Sequence, residues 1–280
     1  MDDNLIYYSV KYNDLFKPFI NHKYAQQMFP FVGDHYDPEK YGILFVGESS
    51  FTNNINRAPE CLNKELFDKW WDPNSDLYID KPYYFDAKNT INSFINGYDC
   101  NGEKIEDVTM DFIAKALITG YNNKNKDKIY DDDLDYRQIL RNIAFTNFYQ
   151  IPSFIEAKSI DISFKQICAN SNVELLDLYH KANAESTKIL NGIIEVLQPK
   201  AIVFLSTLAF EGYKTRGKVR RAGKIKITNI PNPLSNWSGR NMALTGGLDG
   251  TEFAAQVLSN LSDFSVKIDK ETGKPHPFYG

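Results

Sequence analysis

Cysteine is scarce. The 280 residues include three, Cys61, Cys100 and Cys168, far apart and without a CxxC pair. This argues against a disulfide framework and against an all-cysteine metal site. The four histidines, His22, His35, His180 and His276, are equally scattered. No zinc-like spacing appears, so neither a metal nor a cofactor is expected. Positive charge is not in excess: 32 Lys and Arg stand against 36 Asp and Glu, a formal net charge of −4. That argues against a surface coated in positive potential, while leaving local basic patches open. Long apolar runs are missing too. No stretch approaches the length of a membrane span, and the first residues, MDDNLIYYSVKYNDLF, are acidic and broken by polar side chains, unlike a signal peptide. The expectation is a soluble cytoplasmic monomer with no membrane partner.

What is present is ordinary for a globular chain: 42% hydrophobic and 24% charged residues. An α/β chain of this length forms one domain, and residues 1–280 are read as a single one. Four short apolar runs read as strands: Gly42–Gly47, Asn142–Phe148, Lys200–Ser206 and Lys224–Ile230. The first three are continuous and rich in Ile, Val and Phe, as strands covered on both faces are. Helical spacing marks Val108–Tyr121, Asp131–Arg141, Asn183–Pro199 and Gly250–Leu261. The third stops at a proline, and the second runs from acidic to basic in the sense the helix dipole favours. Strands alternating with helices predict a three-layer αβα fold around a mostly parallel four-stranded sheet. Ligands of such sheets bind outside the carboxyl ends of the strands.

The residues that follow each strand are therefore the informative ones. After the first come Gly47, Glu48, Ser49, Ser50 and Phe51. Gly47 permits a sharp turn or a close backbone approach, and Glu48 either caps a following helix or serves a site. The further glycines and the lysine of dinucleotide and Walker loops are absent here. Asn147, near the end of the second strand, offers a donor and an acceptor to a planar ring edge, or else binds a neighbouring loop. Ser206 or Thr207 caps the helix after the third strand. Beyond the fourth, Ile230-Pro231-Asn232-Pro233-Leu234-Ser235 is stiffened by alternate prolines, which suits pressing on a ligand. Just before it, KTRGKVRRAGKIK holds seven basic residues and no acid. It reads as a protected sheet edge or as phosphate contacts.

Taken in order, these strand ends resemble the uracil-DNA glycosylase superfamily. VGESSF resembles the family's GEAPG-type water-activating motif, and AFTNFYQIP its TNVVKCRPP segment. QPKAIVFLSTLAF is similar to P-K-x-I-V-x-L-G-x-x-A, and IPNPLS matches four of the six letters of HPSPLS in register. The resemblance covers about half the chain in separate blocks. It implies a uracil-DNA glycosylase-like domain that hydrolyses the N-glycosidic bond of uracil or a related damaged base in DNA. The alternative is a member that binds single- or double-stranded DNA, or a nucleobase, without cleaving it.

By that resemblance Gly47, Phe51 and Asn147 bind the base, Phe51 by stacking and Asn147 by reading its edge. Glu48 orients water and stabilises the cationic sugar. Asn232, with Asn229 and Ser235 as alternatives, donates to the departing base. Ser49, Pro231, Ser235, Ser238, Arg240, Arg220 and Arg221 contact the DNA. The chain also departs from the pattern. Ile230 stands where the family has its catalytic histidine, Asn232 replaces the following serine, and Ser206 replaces a glycine. The four cysteines of the iron–sulfur branch are missing, so no cluster is implied. Thr52 to Tyr130 has no counterpart, and a helical elaboration is expected within residues 52–140.

Overall fold

Alternate residues of the central strands belong to two different apolar layers, and this arrangement organises the molecule. In a computed structural model, residues 5–20, 28–39, 42–51, 62–72, 74–75, 87–98, 102–124, 136–154, 158–216, 225–230, 250–261, 267–268 and 275–276 are described. The strands are β1 (Phe31–Val32), β2 (Ile43–Phe51), β3 (Ile143–Ser153), β4 (Ala201–Phe204) and β5 (Lys226–Asn229). They form one sheet in the order β1-β3-β2-β4-β5. All neighbours are parallel except β1, which runs antiparallel to β3 at the edge. A separate two-stranded ribbon pairs Lys267–Ile268 with Pro275–His276.

Helices cover both faces. Leu44, Val46, Ala144, Phe148, Ile202 and Phe204 face one layer, whereas Ile43, Phe45, Ile143, Phe145, Ala201 and Val203 face the other. On the first side lie α1 (Asn13–Phe16), α2 (Lys64–Trp71), α5 (Ile160–Ser171), α6 (Leu175–Leu197) and α7 (Thr207–Arg216). On the second lie α3 (Ala87–Asn96), α4 (Val108–Lys124) and α8 (Gly250–Leu261), with a 3-10 stretch at Tyr136–Asn142. Burial on both faces is why the strands read as continuous apolar runs.

Local chemistry sets the helix ends. Asn63 caps α2 by accepting from Leu66 N at 3.0 Å, and Asp107 caps α4 by accepting from Thr109 N and Met110 N, each at 2.9 Å. Helix α6 ends at Gln198, whose φ of 46° is left-handed, one residue before Pro199.

Several sequence boundaries shift. The sheet has five strands rather than four, because the two-residue β1 pairs with β3. Gly47 to Phe51 continue β2 instead of leaving it, and β3 runs on to Ser153. The expected helix at Asp131–Arg141 is a 3-10 stretch over Tyr136–Asn142, and residues 131–135 lie outside the described ones. The described parts of 52–140 include α2, α3 and α4.

Candidate functional site

In chain order, the four parallel strands lie second, first, third, fourth across the sheet. The chain leaves β2 to one side for β3, then returns to its other side for β4. This reversal puts the topological switch point at the carboxyl ends of β2 and β4, the place where such sheets hold ligands. Glu48, on β2, stands there half-buried. Its Oε2 accepts from Ser206 Oγ at 2.8 Å, just beyond β4. Its Oε1 accepts from Ser159 Oγ at 2.5 Å and from Ile160 N at 3.0 Å, at the start of α5. Ser206 also caps α7 by accepting from Ala209 N at 3.3 Å. The carboxylate thus meets the positive ends of two helices, an arrangement that favours negative charge. The helix that Glu48 meets is α5, more than a hundred residues further along the chain, and not one following it directly as one sequence reading expected, because β2 continues to Phe51.

Asn147 lies beside Gly47 on the neighbouring strand, in direct register. The two are packed so closely that a Cβ on Gly47 would fall 2.3 Å from Asn147 Oδ1 and 3.0 Å from the Phe145 ring. A side chain at 47 would push the Asn147 amide from its place, so close approach explains the glycine better than turn formation does. Asn147 lines a cavity of about 10 Å³, with Thr146, Gln150 and Ser50 as its other polar walls. Phe29, Met28 and Ala87 supply the apolar ones. The space holds about one water.

A bulge shapes the cavity. Ser49 pairs with Tyr149, but Phe51 pairs with Ser153, so two steps along β2 match four along β3. Such irregularities re-aim side chains. The backbone of Gln150, inside the bulge, is held by side chains instead of a ladder. Trp70 Nε1 donates to its carbonyl at 2.8 Å, and its N–H donates to Ser186 Oγ at 3.3 Å. Behind it lies Tyr149, fully buried, with no partner for its hydroxyl among the described residues. Burial, then the carboxylates of Glu48 and Asp161, raise the phenol's pKa, so it stays protonated.

Among the expected site residues, the structure brings Gly47, Glu48, Ser49 and Asn147 to the carboxyl edge. Phe51 ends β2, and its side chain lies outside the described residues. Arg220, Arg221, Pro231, Asn232, Ser235, Ser238 and Arg240 also lie outside them. Ile230 is fully buried in the layer that contains Val203, Leu205 and Leu258, and its N–H donates to Phe204 O at 2.7 Å. Phe29, Thr146 and Gln150 escaped the sequence reading. The available signal was Gln150 as a second amide three residues after Asn147 on the same strand.

Cys168 is a free thiol, raised in pKa by burial and then by Glu174. Among the described residues no group of three or more metal-ligating side chains converges, and no helix is long and apolar enough to cross a membrane. Compared with family models and with curated proteins, the chain matches none.

Proposed function

We propose that this protein is a uracil-DNA glycosylase-like domain that takes a nucleobase of DNA at the carboxyl edge of its sheet and hydrolyses the N-glycosidic bond. The observation that carries the reading is the close register of Gly47 and Asn147. It places an amide on the wall of a cavity, and the fixed Glu48 carboxylate lies on the adjacent strand, outside that cavity's walls. Asn147 hydrogen-bonds the base edge, and a flipped base has to be recognised in this way once it leaves the stack. Phe29 supplies the nearby aromatic wall. Glu48 orients the attacking water and offsets the positive charge that develops on the sugar. Water oxygen bonds to the anomeric carbon as the carbon–nitrogen bond breaks, and the base departs with that electron pair. Asn232 is the donor assigned to it.

The test is incubation of the purified protein with uracil-, hypoxanthine- and mismatch-containing oligonucleotides, scored as abasic sites. Glu48→Gln and Asn147→Asp are each expected to slow cleavage by about tenfold or more. Unchanged rates in both variants would remove these assignments.

Ile230 favours a second reading, binding without cleavage. The buried isoleucine side chain has no hydrogen-bond donor and its N–H is taken by Phe204 O, and the three donors on Glu48 commit much of its acceptor capacity to structure. In that case no abasic sites form, yet DNA binding weakens as salt rises. Binding indifferent to salt would exclude a phosphate-dominated mode.

A further inference from the structure

Gln150 is only 5% exposed and lines the same cavity as Asn147. Its Nε2 donates to the backbone carbonyl of Asn147 at 2.5 Å. Its Oε1 has no partner among the described residues. The amide cannot be turned round, because exchanging its ends would set oxygen against the carbonyl oxygen of Asn147. The Trp70 and Ser186 bonds fix the backbone on either side of it. What remains is a buried acceptor, oriented by its own other end, in a residue that lines a polar cavity. A buried acceptor left unpaired is costly, and a native structure normally supplies its donor.

The geometry points to Gln150 as a specificity-determining residue that accepts a hydrogen bond from an N–H on the ligand's ring edge, beside the group that Asn147 engages. This rests on the base-binding reading of the site. Gln150 is restricted to accepting, whereas Asn147 has no such anchor and can present either end of its amide. The pair suits an edge that carries an N–H next to an acceptor, as the lactam of uracil does. It rejects an edge whose N–H is replaced by a methyl group. Met28, flexible and unbranched, is the wall best able to yield as the cavity opens.

Uracil, 1-methyluracil and 1,3-dimethyluracil are the probes, titrated by calorimetry into the 280-residue chain. Methylation at N1, the sugar position, leaves the N3 edge as the one lactam edge, whereas methylation at both nitrogens removes every ring N–H. Binding of 1,3-dimethyluracil is expected to be about tenfold weaker than that of 1-methyluracil. In Gln150→Met the difference shrinks to about twofold or less, with circular dichroism confirming the fold. Gln150→Glu keeps the preference, because the buried acid takes up a proton, donates to the Asn147 carbonyl and still presents an acceptor. Equal binding of the two methylated bases by the unaltered protein overturns the assignment and leaves base binding standing, and so does a preference that survives in Gln150→Met. If none of the three bases binds, the base-binding reading falls and this inference with it.

Discussion

Arg141 donates from Nη2 to His35 Nε2 at 2.8 Å and clasps Asp34 with Nε at 2.9 Å and Nη2 at 2.7 Å. The ring nitrogen facing a guanidinium has to be an acceptor, so the imidazole is neutral with its proton on Nδ1. Burial lowers its pKa below the usual value, Arg141 lowers it further, and Asp34 opposes both. The unfolded chain therefore binds this proton more readily than the folded one. The stability His35 contributes is complete above about pH 6.5 and is lost as the pH falls through the lower folded value. The urea midpoint is expected to drop between pH 7 and about pH 5, and His35→Gln to flatten that drop. A variant with the same pH dependence as the unaltered protein would contradict this. Other single residues act through space alone. Gly47 reads in sequence as allowing a close approach, and in the fold the group that approaches is the Asn147 side chain.

Elements meet through similarly small gaps. Helix α4 approaches α8 so closely that a Cβ on Gly120 would lie 2.8 Å from the carbonyl oxygen of Ala255. Backbone cannot step aside as a side chain does. Gly120→Ala is therefore expected to destabilise the protein by about 1–3 kcal/mol even though alanine is the better helix former. Thermal denaturation measures it, and an unchanged or raised Tm would refute the close contact. At this scale much was legible in sequence. The core of β2, β3 and β4 is continuous Ile, Val, Leu, Phe and Ala because both faces are covered, and α4 and α8 keep their apolar periodicity. The far ends of β2 and β3 were not legible. Gly47, Glu48 and Ser49 are poor strand formers, and they extend the strand because β3 lies alongside, which is a non-local cause. The same holds for β1, where two residues carry no periodicity at all. The start of α6 was missed for a different reason. Its first turn, from Leu175, lies eight residues before the expected start and is followed by polar side chains. Of the candidate site, Gly47, Glu48 and Asn147 could be read from their places at strand ends. Phe29 and Gln150 could not, because an N-terminal segment and a bulge bring them to the cavity.

Over the whole molecule, the sheet separates two apolar layers whose buried clusters have no member in common among the described residues. The Glu48 carboxylate is held from positions 111, 112 and 158 residues away in sequence. Such a contact closes very long loops and forms only after β3 and β4 have both docked against β2. It belongs to the last stage of assembly, so the folding barrier is crossed without it. Removing it with Glu48→Ala is expected to leave the refolding rate nearly unchanged and to raise the unfolding rate by roughly tenfold, as read from the two arms of a chevron plot. A slowed refolding arm would place the contact in the nucleus instead. A latch that closes last is also the first to open. Whatever the thermodynamic worth of this one carboxylate, it acts chiefly on how long the native protein lasts and little on how quickly it forms.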